Sequence, residues 1–348
     1  MATSRSRFLI STRDADAAGN WVAEPGPTRF FRVPVGADTY TLSQEIRNAD
    51  RWRGLVADAA DGEENEITGS TGDVLLFMHG YNNTIKSVLK RTRYLQDTLA
   101  QAGWRGVVVP FDWPSDNSTL NYLEDRSDAA AVAGSVVKEV IPLLVTAQGE
   151  RTPSGQPACT INVHLLGHST GAYLIMEAMA ASQKVGEHFR SDWRIGQCAF
   201  IGGDVAATSL RKDCDWAAPL FSRVQRLTNY SNGADQVLAV SNAKRLGTAS
   251  RAGRVGLPEG TDAKAVNVDC TEYFFSKDPK QSTYEGTFCH SWHLGDQVFA
   301  NDFAMTLSGA IDRHYLPTRE SGDRGLRLKA GKPLAHPIQW TDIANVSP

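Results

Sequence analysis

Cysteine is scarce in this chain and unevenly placed: Cys159, Cys198, Cys214, Cys270 and Cys289 make an odd number with no CxxC pair. That pattern favours thiols over a disulfide framework, with Cys159 and Cys198 as core residues on strands. No apolar run approaches the length of a membrane span. The opening MATSRSRFLISTRDAD also lacks the apolar stretch of a secretory signal, so a cytoplasmic location is expected. Charge of one sign is not in excess either; a net charge of -3 gives no general attraction to nucleic acid or to an anionic membrane. A neutral, locally recognised small molecule is the expected partner, and the oligomeric state stays open. Metal-ligand spacing, a phosphate-cradling glycine loop and a dinucleotide fingerprint are all missing, so no cofactor or metal is expected. What remains is ordinary: 348 residues, 41% hydrophobic and 22% charged, enough for a large globular core.

The informative stretch is CTINVHLLGHSTGAYLIMEAMAAS. Ile161 to Leu166 is an apolar run rich in β-branched residues and predicts a buried parallel strand, while Tyr173, Leu174, Met176 and Met179 recur at helical spacing. Ser169 therefore falls at a strand-to-helix reversal. Such a sharp turn brings neighbouring backbone into contact, which calls for small residues at Gly167 and Gly171. The hydroxyl is then presented at the carboxyl edge of the sheet, where α/β proteins bind ligands.

Around this elbow, Phe8–Arg13 and Thr28–Val35 predict two antiparallel opening strands. The segment 37–72 reads as a surface connection with a short helix near Ser43–Trp52. Regular alternation begins with a strand at Asp73–Met78, a helix at Thr84–Ala102 and a strand at Gly106–Phe111. A helical stretch follows from Ser127, with Val132, Val136 and Val140 on one stripe and Pro142 ending or kinking it. Beyond the elbow come strands at Gln197–Ile201, Val224–Thr228 and Ala265–Asp269, a helix from Asp235, and a last helix at Asp296–His314. This alternation predicts an α/β fold with a mostly parallel central sheet and helices on both faces. Residues 1–72 belong to the same domain as the 73–314 catalytic core, and 315–348 form a tail that packs through Ile338 and Trp340 or lies loose.

A serine hydroxyl becomes a nucleophile only when a base takes its proton, and a third group must hold that base in the right tautomer. In this fold the acid and then the histidine follow the serine, on loops at the same sheet edge. His290 lies between the last core strand and the last helix; His293 is the near rival, and His314 and His336 read as surface residues. For the acid, Asp235 is favoured because its strand neighbours the loop carrying His290. It could also cap the helix DQVLAVSNAKR. Asp204 is the alternative acid, or a group that caps a short helix or steadies the Asp235 loop. The developing oxyanion needs two preorganised donors. The amides of Thr170 and of Tyr81, in His79-Gly80-Tyr81-Asn82-Asn83, are the candidates, against a plain turn capped by Asn83 or Thr84. Trp113, His168 and Trp292 could line a substrate pocket, though aromatics there are as readily packing. Lys244, Arg245, Arg251 and Arg254 read as a solvated basic loop.

The ordered set FMHGYNN, PFDWPS, LLGHSTG, Gly203-Asp204, the Ser-Asn-Gly-Ala-Asp235 loop and the HSW at His290 resembles an uncharacterised bacterial group of the esterase/lipase superfamily, within the α/β hydrolases. The resemblance spans about Asp73 to Leu307, with Trp292 standing where an HSY-type sequence is usual. It implies the same roles: Ser169 as nucleophile, Asp235 as acid, His290 as base. The expected activity is that of a carboxylesterase-like serine hydrolase acting through an acyl-enzyme. The alternatives are an amidase or thioesterase using the same triad, or a binding protein that keeps the fold without turnover.

Overall fold

The computed structural model describes residues 8–60, 64–65, 69–70, 73–115, 131–141, 143, 162–184, 193–243, 249–322 and 325–333. Strands β1 (Phe8–Ala15) and β2 (Trp21–Arg32) open the chain, and a two-residue pair follows, β3 (Glu64–Asn65) and β4 (Gly69–Ser70). The core strands are β5 (Val74–Met78), β6 (Val107–Asp112), β7 (Val163–His168), β8 (Ile195–Ile201), β9 (Val224–Ser231) and β10 (Ala265–Asp269). β11 (Arg319–Gly322) and β12 (Gly325–Leu328) close the described chain. These build a ten-stranded sheet in the order β11-β12-β10-β9-β8-β7-β5-β6-β1-β2. From β12 to β1 each neighbouring pair is parallel, and only the edges, β1 with β2 and β11 with β12, are antiparallel.

Helices cover both faces, which is why the central strands are apolar throughout. On β5, Val74, Leu76 and Met78 join one core with Trp52 and Val56 of α1 (Ala49–Ala60) and Leu174 and Ile175 of α3 (Thr170–Ser182). Leu75 and Phe77, pointing the other way, join a second core with Leu95 and Leu99 of α2 (Ile85–Gln101) and Phe299 and Phe303 of α5 (Gln297–Ser308). The period of two along the strand thus assigns each residue to one layer. A further helix, α4 (Gln236–Ala243), leads out of β9.

Several boundaries differ from the sequence reading. The helix expected at 43–52 is instead a 3-10 turn at Leu42–Gln44 followed by α1 from Ala49. Asn48 Oδ1 accepts the Arg51 amide at 2.8 Å and starts the helix there, and the Trp52 indole donates to the Phe31 carbonyl at 2.9 Å. The last helix stops at Ser308, short of His314, because Gly309 takes a left-handed conformation with φ 62. The composition of the tail gave no strand signal, yet β11 and β12 extend the sheet. Val132, Val136 and Val140 are buried as expected, with a π-helical turn at Val136–Val140. Ser127, Pro142, Cys159, Ile161, Lys244, Arg245, His336, Ile338 and Trp340 lie outside the described residues.

Candidate active site

Strand β7 ends at His168 and α3 begins at Thr170, so Ser169 alone makes the reversal. It does so with φ 56 and ψ -124, a region L-residues avoid. Glycine flanks it by necessity. A Cβ at Gly167 would lie 2.6 Å from the Ala172 Cα, and one at Gly171 would run into the Met78 carbonyl oxygen. The turn is tied at both sides: the Ser169 amide donates to the Ile201 carbonyl at 3.1 Å, and the Asp204 amide donates to the Ser169 carbonyl at 3.0 Å.

His290 arrives on a short helical turn, Phe288–Ser291. Its Nδ1 donates to Asp235 Oδ2 at 2.6 Å. Asp235 is wholly buried, and its other oxygen accepts the Leu238 amide at 3.0 Å. It therefore serves both as helix cap and as partner of the ring. Two contacts connect this pair to the elbow. The His168 and His290 rings pack with centroids 4.7 Å apart, and a Cβ at Gly202, next to the Ile201 that holds Ser169, would lie 3.1 Å from His290 Nδ1. His168 Nε2 donates to the His290 carbonyl at 3.0 Å. Since a carbonyl only accepts, this nitrogen carries the proton. Burial, then electrostatic interaction with His290 and Arg91, pushes the His168 pKa well below the usual histidine value, so the ring is neutral. Among the hydrogen bonds of the described residues, none joins Ser169 Oγ to His290 Nε2.

The loop after β5 reaches the same place, for a Cβ at Gly80 would lie 2.6 Å from Ser169 Cβ and 3.2 Å from its Oγ. Asn83 folds this loop, donating from Nδ2 to the Gly80 carbonyl at 2.7 Å and the Tyr81 carbonyl at 2.9 Å. The helix cap is Thr84, whose hydroxyl accepts the Ser87 amide at 3.1 Å. Thr170 is the first residue of α3, so its amide belongs to the helix's orphan donors.

Beneath the loop lies a buried cluster that sequence reasoning missed. Asp112 accepts from Arg13 Nε at 3.0 Å and from the Tyr40 hydroxyl at 2.6 Å, and lies 3.2 Å from His79 Nε2. Burial alone would raise the Asp112 pKa; Arg13 and His79 reverse this and hold it at about 2. Arg13 also donates to the Asn83 carbonyl at 2.9 Å. The available signal was a charged residue at the end of each of two apolar strands, FLISTR and VVVPFD.

The remaining candidates separate clearly. Asp204 accepts from the Ser241 hydroxyl of α4 at 2.9 Å and pairs with Arg251 at 3.2 Å. It steadies the helix that follows Asp235, while Asp235 takes the ring of His290. Arg251 is fully buried, a correction to its reading as part of a solvated loop; Arg254 is exposed. His293 is buried and stacks on Trp292 with centroids 4.0 Å apart. Burial, then electrostatic interaction with His290, lowers its pKa to about 3. His314 is exposed beside Asp312. Trp113 and Trp292 are buried and act as packing rather than as walls of an open pocket. Trp113 stacks on His79 and donates to the His79 carbonyl at 3.1 Å, and Trp292 packs among Tyr273, Phe274 and His293. His168 is likewise buried, engaged with the His290 backbone. Among the described residues no group of three or more His, Cys, Asp or Glu could hold a metal, and no helix is long and apolar enough to cross a membrane.

Comparison with known proteins agrees with this architecture. A family model described as alpha/beta hydrolase of unknown function (DUF900) matches residues 59–272, more than half of the chain. No curated protein matches. Among solved structures, a protein from Agrobacterium vitis S4 provisionally named a hydrolase shares 13% identity, with 57% of this chain and 78% of that one covered and a TM-score of 0.30. A metagenomic carboxyl esterase shares 12% identity over 70% of this chain and 76% of that one, with a TM-score of 0.31. At such identities and scores, membership rests on the family match and the sheet topology.

Proposed function

Since the chain belongs to a family of α/β hydrolases of unknown function, we propose that it is a serine hydrolase that cleaves carboxylic esters through an acyl-enzyme. The observation that carries this reading is the 2.6 Å bond from His290 Nδ1 to the buried Asp235, beside a serine held at φ 56. With Nδ1 protonated and bonded to the carboxylate, the neutral ring carries its lone pair on Nε2, the tautomer a general base requires.

In the proposed cycle Ser169 Oγ attacks the ester carbonyl while His290 Nε2 takes its proton. The oxyanion is held by the amides of Tyr81 and Thr170. His290 then returns the proton to the departing alcohol, and the carbon–oxygen bond to that alcohol breaks. Water, deprotonated by the same ring, releases the acid and restores the serine. The bond between Ser169 Oγ and His290 Nε2 forms on substrate binding, as catalytic hydrogen bonds often tighten only in the complex. Asp235 orients the imidazole and stabilises its charged form.

Turnover of a p-nitrophenyl ester by purified protein, together with labelling by a fluorophosphonate probe, tests the proposal. Ser169→Ala is expected to lose labelling and to lower turnover on the order of 10⁴-fold. A variant that keeps more than a tenth of the activity refutes the assignment.

A further inference from the structure

Arg91, on the inner side of α2, is buried and reaches two loops that meet nowhere in sequence. Its Nη1 donates to Asn83 Oδ1, the residue that folds the Gly80-Tyr81 loop. Its Nε and Nη2 donate to the Glu285 carbonyl at 3.2 and 2.8 Å, and Nη2 lies 3.4 Å from Ser291 Oγ, next to His290. Gly286 has φ +96, and a Cβ there would collide with Arg91 Nη2. The loop thus takes this path only by leaving room for the guanidinium.

Every direct partner of Arg91 among the described residues is a neutral oxygen. Glu285 turns its carboxylate to Lys90 instead, at 2.6 Å. Burial lowers the Arg91 pKa to about 10, so the group stays charged at neutral pH, and its field reaches His168, the neighbour of Ser169. A buried cation without a directly bonded carboxylate is costly as a stability device. Its planar fork suits it to bridging several acceptors at fixed angles, which a lysine cannot do.

We propose that Arg91 is a positioning residue of the ester-cleaving site, locking the Tyr81 amide loop and the His290 loop into one preorganised frame. The proposal rests on the serine-hydrolase reading above. Arg91 acts through Asn83 on the first loop and through Glu285 and Ser291 on the second. Losing it leaves both groups present but no longer held in the geometry the oxyanion requires.

Arg91→Lys and Arg91→Met are compared with the wild-type protein by ester kinetics and by amide hydrogen exchange of residues 79–84 and 284–291. Arg91→Met is expected to lower kcat about 100-fold and Arg91→Lys about 10-fold, with KM within about twofold, because the loss falls on the transition state. Exchange in both segments should quicken together. A folded Arg91→Met with kcat within twofold of wild type, a loss confined to KM, or unchanged exchange in either segment overturns the proposal. If Arg91→Met does not fold, Arg91→Lys decides by the same criteria. Wild-type protein that neither turns over ester nor takes the fluorophosphonate label sinks the hydrolase reading, and the exchange measurement still judges the frame.

Discussion

At the scale of single residues, two carboxylates that look alike in sequence are given different work by their surroundings. Asp235 divides its oxygens between the Leu238 amide and His290 Nδ1, so one side chain both caps the helix and meets the His290 ring. Asp204 braces α4 and neutralises the buried Arg251. Asp235→Asn is expected to lower kcat about 10⁴-fold, since an amide can present N–H to the ring and select the wrong tautomer. Asp204→Asn keeps the His290 partner; it should cost stability, about 1.5–3 kcal/mol for the charged acceptor that the buried Arg251 and Ser241 lose, and far less kcat per folded molecule. Kinetics with urea midpoints for both variants decide the matter, and a larger kcat loss in Asp204→Asn reverses the assignment. Ser169 was legible because its constraints are local: a turn at φ 56 costs about 1–3 kcal/mol and demands small neighbours that can be read directly. Arg91, Arg13 and Tyr40 were not, because each matters through partners remote in the chain.

At the scale of elements, the loop after β5 is shaped from below by the cluster around Asp112. Arg13 ties that cluster to the Asn83 carbonyl, and His79 and Trp113 stack above it. The central strands were readable as apolar runs because both faces are covered, whereas α1 was misplaced because its start depends on the Asn48 cap and its packing on Phe31. Asp112→Asn is expected to lower stability by about 1.5–3 kcal/mol at neutral pH, since the buried Arg13 guanidinium and Tyr40 hydroxyl lose a charged acceptor. The pH dependence follows from the shift. The folded pKa, about 2, lies below the ordinary carboxylate value of 3.8, so this carboxylate stabilises the protein above the higher value and loses that contribution as pH falls toward the lower one. The gap between wild-type and Asp112→Asn urea midpoints should therefore be constant above about pH 5 and narrow toward pH 2. A gap that widens on acidification contradicts the assignment of charge.

At the scale of the whole molecule, one sheet carries the site on its carboxyl edge and protects its ends with antiparallel strands contributed by the two extremes of the described chain. The far edge hangs on another buried ion pair. Arg319, at the start of β11, forks onto Asp302 of α5 at 2.7 and 2.8 Å. Asp302 also accepts from the Tyr230 and Thr318 hydroxyls, each at 2.7 Å. This explains why the final strands escaped sequence reading: RESG and GLRL are too short and too mixed to announce strands, and what orders them is a bond to α5 rather than their own periodicity. Arg319→Met should therefore lower the urea midpoint by an amount equivalent to about 3–5 kcal/mol, because Asp302 is left charged and buried. Amide exchange should quicken across 319–328 well before β7 and α3 respond, since the pin lies at the edge and local opening precedes global unfolding. Equal acceleration in both regions, or an unchanged midpoint, would mean that the edge is held by β10 and β12 pairing alone.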